Sequence, residues 1–183
     1  MIRIIGISGS LRQQSFNSAL LRAAAEVAPA GVDFEIRSLH EVPLYNQDVE
    51  ADAGLPAAVI ELKDAIAAAA GLVIATPEYN AGIPGVLKNA IDWISRPPAD
   101  ISRILHGKPV ALLGATPGGF GTTFVQTAWL PVFRTLRMEL WVENGPFYVS
   151  GASNVFDEAG RLIDDELRSR LEEYIGAFSK RLV

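Results

Sequence analysis

The sequence has 183 residues and a formal net charge of −5, with 49% hydrophobic and 20% charged residues. A chain of this length and composition can bury one core, so we expect a single globular domain over residues 1–183. The absence of cysteine excludes disulfides, thiolate metal ligands and cysteine nucleophiles. Lysine and arginine form no basic cluster, so nucleic acid is not an expected partner.

The termini and apolar windows give no sign of export or membrane insertion. Residues 1–8 begin with an apolar run and lack the basic segment that opens a secretory signal. The longest strongly apolar window covers residues 65–75, which is far short of the roughly 20 residues that a membrane helix needs. We therefore expect a soluble, cytoplasmic protein.

Apolar runs of strand length alternate with longer segments of helical period, which is the pattern of parallel βαβ units. Strands are predicted near residues 2–7, 33–38, 71–76, 109–114 and 139–142 or slightly later. Helices are predicted near residues 18–27, 55–69, 84–95, 122–137 and 164–180. The pattern predicts an α/β fold with a doubly wound five-stranded parallel sheet and helices on both faces.

The first candidate binding loop, residues 8–17, reads SGSLRQQSFN and follows the first strand. Ligands of open parallel sheets bind beyond the carboxyl ends of the strands. Hydroxyl groups, the cation Arg12 and the backbone N–H groups at a helix start are the components of a phosphate site. The alternative is that Ser15, Asn17 or Ser18 only caps the helix while Arg12 is solvated.

The second candidate loop, residues 76–85, reads TPEYNAGIPG and follows the third strand. Its two prolines and two glycines fix an irregular path that can present backbone groups to the edge of a flat heterocycle. Tyr79 would supply apolar area, and Asn80 would supply a donor and an acceptor. The alternative is a rigid connection in which Glu78 is a capping or exposed carboxylate.

The third candidate loop, residues 115–122, reads ATPGGFGT and follows the fourth strand. Three glycines allow a ligand to approach the backbone closely, and Phe120 can flank a ring. Thr122 would serve as the cap of the next helix. Three such loops at one edge of one sheet indicate a ligand site more strongly than any of them alone.

Other nucleotide and hydrolase motifs are missing. The sequence contains neither G-x-G-x-x-G after the first strand nor G-x-x-x-x-G-K-[ST], which disfavours Rossmann and P-loop sites. The hydrolase motif G-x-S-x-G fails at Ser10. The two histidines are interpreted as surface or hydrogen-bonded side chains, with His40 after the second strand and His106 before the fourth.

Three strings together resemble the NAD(P)H-dependent FMN reductase family, including its bacterial quinone and chromate reductases. They are GSLR-x-x-SFN at residues 9–17, TPEYN at residues 76–80 and GVLKNAIDW at residues 85–93. The resemblance implies a flavodoxin-like sheet with strand order 2-1-3-4-5, bound FMN and NAD(P)H as a substrate. It also implies a homodimer or homotetramer with the flavins near the subunit interface.

The resemblance also implies a set of cofactor-binding residues and no catalytic side chain or metal. The FMN phosphate would be held by Ser10, Arg12, Ser15 and Asn17, with Leu11 and Phe16 in the same loop. The isoalloxazine ring would be bordered by Pro77, Glu78, Tyr79 and Asn80. Thr116 and Gly118 complete the set, in a loop whose sequence matches the family less closely.

The expected function is two-electron, ping-pong reduction of quinones, free flavins or similar small acceptors, with the chemistry at N5 of FMN. A flavodoxin-type single-electron carrier is the alternative, although the strong acidity usual in such carriers is absent. A receiver-like module would need a carboxylate after the first strand, and a hydrolase would have to use Ser8 or Ser10. Trp129, Phe133 and Trp141 are expected either at a subunit interface or in the core.

Overall fold

The computed structural model describes residues 1–183 and contains one parallel sheet. Its strands are β1 (Ile2–Ser8), β2 (Val32–Arg37), β3 (Gly71–Ala75), β4 (Pro109–Ala115), β5 (Glu139–Leu140) and β6 (Phe147–Val149). Neighbouring strands follow the order β2-β1-β3-β4-β5, and β6 also pairs with β4. The flavodoxin-like order that the family resemblance implies is therefore confirmed.

The fifth strand position is divided between two short strands. β5 pairs with the start of β4 at Pro109 and Val110, whereas β6 pairs with residues 113–115 at its end. Between them the chain turns, with Gly145 N–H donating to the carbonyl of Val142 at 2.9 Å. Gly145 has a φ of 72°, and a proline follows it, so the ladder cannot continue through this turn. The predicted strand at residues 139–142 is therefore corrected to two shorter ones.

Eight helices accompany the sheet. They are α1 (Phe16–Glu26), α2 (Gln47–Ala53), α3 (Ala57–Ala68), α4 (Gly85–Ile94), α5 (Ile101–Ile104), α6 (Thr123–Ala128), α7 (Leu130–Thr135) and α8 (Asp165–Arg181). The sequence predictions for α1, α3, α4 and α8 agree with the structure to within two residues at each end. None of the eight combines the length and the apolar character that crossing a membrane requires.

One helix prediction is wrong in detail, and the sequence missed the two short helices α2 and α5. The helix predicted over residues 122–137 is divided at Trp129 into α6 and α7, because Pro131 has no N–H to donate to the carbonyl of Thr127. The loop predicted between β2 and α3 contains α2, which buries no residue and so has no apolar stripe to reveal it. Its Glu50 instead accepts hydrogen bonds from Arg96 and Tyr45, both at 2.9 Å. The hydrogen bond from Arg96 lowers the pKa of the Glu50 carboxyl.

The core lies in two layers, one on each face of the sheet. Alternating side chains of β1 supply both layers: Ile4 packs with α1 and α8, whereas Ile5 and Ile7 pack with α3 and α4. Trp129, Phe133 and Trp141 are at most 6% exposed and belong to these layers. Of the two alternatives for these aromatic residues, the structure selects the core.

Candidate functional site

The three candidate loops meet at one edge of the sheet. They leave the carboxyl ends of β1, β3 and β4, which are adjacent strands. The chain runs from β1 outward to β2 and then crosses to β3 on the other side of β1. The crevice between β1 and β3 is therefore the topological switch point, where open α/β sheets bind ligands.

The start of α1 presents a row of free donors. The backbone N–H groups of residues 13–17 have no hydrogen-bond partner in the chain, as expected for the first turn of a helix. Ser15 is the N-cap, and its hydroxyl oxygen accepts from Ser18 N–H at 3.2 Å. Because this hydroxyl can still donate its own hydrogen, capping is compatible with binding an anion.

Arg12 is the free cation of the first loop. It is exposed and takes part in no salt bridge or side-chain hydrogen bond. Its backbone N–H points to the hydroxyl of Ser10, 3.4 Å away, and Ser10 is buried at 7% exposure. The Phe16 ring stacks on Phe156 at 6.0 Å, so Phe16 anchors the helix start and offers only its backbone N–H to a ligand.

Asn17 joins the first loop to the third. Its side-chain Nδ2 donates to the carbonyl of Ala115 at 2.9 Å, and its Oδ1 accepts from Ala115 N–H at 3.0 Å. The side chain is buried, and Ala115 is the last residue of β4. The asparagine that the sequence predicted near the phosphate therefore also fixes where the third loop begins.

Gly9 brings the first loop against the second. Its N–H donates to the carbonyl of Ala75 at 2.8 Å. A Cβ at this position would lie 2.9 Å from Cδ of Pro77 and 2.9 Å from Cδ2 of Leu87. Only glycine permits this approach without displacing its neighbours.

The second loop contains a tight turn with two residues in the left-handed region. Asn80 and Ala81 have φ values of 51° and 58°, and Tyr79 and Gly82 exchange backbone hydrogen bonds of 3.0 and 3.3 Å across them. This is the geometry of a type I′ turn. It leaves Tyr79 47% exposed, and the Asn80 side chain has no partner in the chain.

Glu78 caps α6. Its Oε2 accepts from the N–H groups of Phe124 and Val125 at 2.9 and 3.0 Å, and a carboxylate is favourable at a helix start. The capping alternative for Glu78 is thus correct, while the backbone N–H of Glu78 stays free. Thr122 occupies the N-cap position of α6 as predicted, but its side chain makes no capping hydrogen bond, since its buried hydroxyl accepts from Gln126 Nε2 at 3.2 Å instead.

The third loop rests on the segment after β6. Thr116 N–H donates to Val149 at 3.0 Å, and the carbonyl of Gly118 accepts from Gly151 N–H at 3.2 Å. The hydroxyl of Thr116 accepts from Gly118 N–H at 3.3 Å. These bonds hold the loop in place, and Phe120 within it is 81% exposed.

The supporting contacts that the sequence did not reveal are mostly made by backbone atoms. The groups of Ala115, Val149 and Gly151 that anchor the loops belong to any residue type, so no motif marks them. The hydroxyl of Ser8 pairs with that of Ser18 at 2.8 Å, and neither histidine is hydrogen bonded to Ser8 or Ser10. The hydrolase alternative therefore lacks a base, and no cluster of three metal-ligating side chains occurs in the chain.

This geometry suits a ligand with an anionic end and a flat apolar end. The free backbone N–H groups of residues 13–17 and the guanidinium of Arg12 are the donors that a phosphate requires. A bound phosphate would give these donors the acceptors that the chain itself does not supply. Tyr79 in the second loop, Phe120 in the third loop and Phe124 at the start of α6 are exposed aromatic groups that can supply apolar walls for a flat ring. A mononucleotide of a flat heterocycle fits both ends.

Comparison with known proteins shows the family to which the chain belongs. The chain is 44% identical over 178 residues to an NAD(P)H-dependent FMN reductase of Pseudomonas aeruginosa, covering 96% of this chain and 92% of that protein. It is 35% identical over 182 residues to a quinone reductase of Escherichia coli, covering 98% of this chain and 94% of that protein. The solved structure of FerB, a flavoenzyme NAD(P)H:(acceptor) oxidoreductase from Paracoccus denitrificans, superposes with a TM-score of 0.84 at 28% identity, covering 100% of this chain and 97% of that one. The sequence profile described as NADPH-dependent FMN reductase matches residues 2–153, and the chain therefore belongs to the NADPH-dependent FMN reductase family.

Proposed function

We propose that this protein binds FMN at the switch point and uses NAD(P)H to reduce quinones, free flavins or similar small acceptors. Membership of the family supports the reaction class. The observation that carries the proposal is the row of free backbone N–H groups at residues 13–17 beside the unpaired guanidinium of Arg12. Residues 1–183 are proposed to act as one domain, because all three loops rise from one sheet.

The phosphate end of the proposed site is the start of α1. Arg12 would supply a charge-assisted hydrogen bond, and the N–H groups would surround the remaining oxygens with the positive end of the helix dipole behind them. The residues proposed for this end are Ser10, Leu11, Arg12, Ser15, Phe16 and Asn17. Asn17 and Phe16 contribute by holding the helix start, as their side-chain contacts support.

The ring end lies between the second and third loops. The residues proposed there are Pro77, Glu78, Tyr79, Asn80, Thr116 and Gly118. Backbone N–H groups of Glu78, Asn80 and Gly119 have no partner in the chain and would donate to the polar edge of an isoalloxazine. Fixed donors of this kind stabilise negative charge that develops during reduction, because they need no reorganisation.

FMN, when bound, accepts and delivers hydride at its N5 atom, so that no side chain has to act as a nucleophile. The chain's own task is to orient the ring, to exclude water from one side and to leave the other side open. The exposed side chains of Tyr79 and Phe120 would border that open side. One pocket then serves the nicotinamide and the acceptor in turn, which gives ping-pong kinetics.

We further propose that the protein is a homodimer or homotetramer. Four large apolar side chains remain exposed around the ring loops and the adjoining helices: Tyr79 at 47%, Phe120 at 81%, Phe124 at 54% and Leu130 at 49%. Contiguous exposed apolar groups are typical of surfaces that bind another molecule or another subunit. A second subunit over this region would complete the walls of the pocket.

The first prediction concerns Arg12. Arg12→Ala should raise the Kd for FMN by roughly tenfold to a hundredfold, because a hydrogen bond to a charged group contributes about 1.5–3 kcal/mol. Quenching of flavin fluorescence on titration measures this Kd. Arg103→Ala is the matched control, since Arg103 is also an exposed arginine but lies on α5 and pairs with Asp100. An unchanged Kd for Arg12→Ala would remove Arg12 from the site.

The second prediction concerns the reaction. Anaerobic stopped-flow mixing of the FMN-loaded protein with NADPH or NADH should bleach the visible flavin absorption, and benzoquinone should then restore it. Steady-state double-reciprocal plots at several quinone concentrations should give parallel lines. If neither nucleotide bleaches the flavin, the reductase proposal is wrong.

The third prediction concerns assembly. Light scattering at micromolar concentration should report a mass at least twice the 19.7 kDa of one chain, because the exposed apolar groups are covered only on association. A stable particle near 19.7 kDa that keeps full reductase activity would contradict the oligomer proposal.

A further inference from the structure

His40 lies just after β2 and outside the residues proposed to touch FMN, yet its ring is hydrogen bonded on both sides. Its Nε2 lies 3.1 Å from the carbonyl oxygen of Leu11, in the middle of the phosphate loop. Its Nδ1 lies 2.8 Å from the hydroxyl oxygen of Ser38. The ring therefore spans from the end of β2 to the loop that follows β1.

The partners of the ring determine where its proton sits. A carbonyl oxygen can only accept, so Nε2 carries the hydrogen and donates it to Leu11. In the neutral imidazole Nδ1 is then an acceptor, and the hydroxyl of Ser38 donates to it. The same hydroxyl oxygen accepts a hydrogen bond from the backbone N–H of His40 at 3.2 Å. Both ring nitrogens of His40 and its backbone N–H therefore have hydrogen-bond partners.

This contact is the only hydrogen bond that reaches residues 10–14 from outside the β1–α1 connection. The other bonds to this segment come from within it: Ser10 N–H points to Ser8, and Arg12 N–H points to Ser10, both at 3.4 Å. Residues 11–14 are all exposed, so packing restrains them little. His40 is thus the external support of the segment that carries Arg12.

The bond to Leu11 also sets the direction of the next peptide group. The carbonyl of Leu11 and the N–H of Arg12 belong to one planar trans unit and point in opposite directions. Holding the carbonyl toward His40 therefore turns the Arg12 N–H toward Ser10. The Cα atom of Arg12 belongs to the same planar unit, so the bond to Leu11 also restrains the point from which the Arg12 side chain extends.

We propose that His40 is a positioning residue that orders the phosphate loop before FMN binds, acting through the carbonyl of Leu11. The proposal rests on the proposed FMN site and assigns this role to a side chain outside the set of residues proposed to bind FMN. A loop that is already ordered loses less conformational entropy when FMN binds, which makes the free energy of binding more favourable. The benefit should therefore appear with FMN and be absent with riboflavin, which has no phosphate.

The test compares His40→Ala, His40→Asn and His40→Gln. The amide nitrogen of glutamine can take the place of Nε2 and donate to Leu11, whereas that of asparagine is too short to reach it. We expect the Kd for FMN to rise about two- to tenfold in His40→Ala and His40→Asn, as for the loss of one neutral hydrogen bond. His40→Gln should restore FMN binding, and the Kd for riboflavin should be equal in all four proteins.

A second measurement follows the loop without the cofactor. Trypsin cleaves after Arg12, and its rate in the FMN-free protein reports how often the segment opens. Cleavage at Arg12 should be faster in His40→Ala and His40→Asn than in the wild type and His40→Gln. Equal cleavage rates, equal FMN affinities or a parallel loss of riboflavin binding would overturn the role of His40. Failure of the wild-type protein to bind FMN would instead overturn the proposed function on which it rests.

Discussion

The pair of hydrogen bonds between the Asn17 side chain and the backbone of Ala115 is the constraint on which the site depends. It joins residues 98 positions apart, the second residue of α1 and the last residue of β4. Removing the amide would leave a buried N–H and a buried carbonyl without partners, at a cost of about 1–3 kcal/mol each. Through this pair the first loop and the third loop, which carry the two ends of the proposed site, are held together.

The second loop is attached from both sides as well. Gly9 lets it lie against the first loop through Pro77, and Glu78 fastens it to the start of α6. The side chains of Asn17 and Glu78 help to hold the loops in position, while backbone N–H groups in all three loops have no partner in the chain. Such a site suits a protein that delegates its chemistry to a cofactor, since it requires no cysteine, metal or reactive histidine of its own.

Alternating apolar patterns and punctuating glycines and prolines predicted the parallel sheet and the three loops, because these are local signals. The strand order was instead implied by the resemblance to the family. The sequence pattern missed α2, because this helix buries no residue and is held by the contacts of Glu50. It also missed the division at Trp129, because the apolar residues continue at helical spacing through Pro131, which cannot donate the hydrogen bond of a continuous helix. It could not tell which residue caps α6, because Glu78 and Phe124 are 46 positions apart. The His40 contact crosses 29 positions to a backbone carbonyl, a partner that no motif can mark.

Two-dimensional ¹H–¹⁵N spectra of the labelled protein with FMN and with riboflavin test most directly whether the start of α1 binds the phosphate. The amide signals of residues 13–17 should shift strongly with FMN and stay nearly unmoved with riboflavin, because only FMN offers an anion to these free donors. The amides of Glu78, Asn80 and Gly119 should shift with both ligands. Equal shifts at residues 13–17 with the two ligands, or none with FMN, would contradict the account.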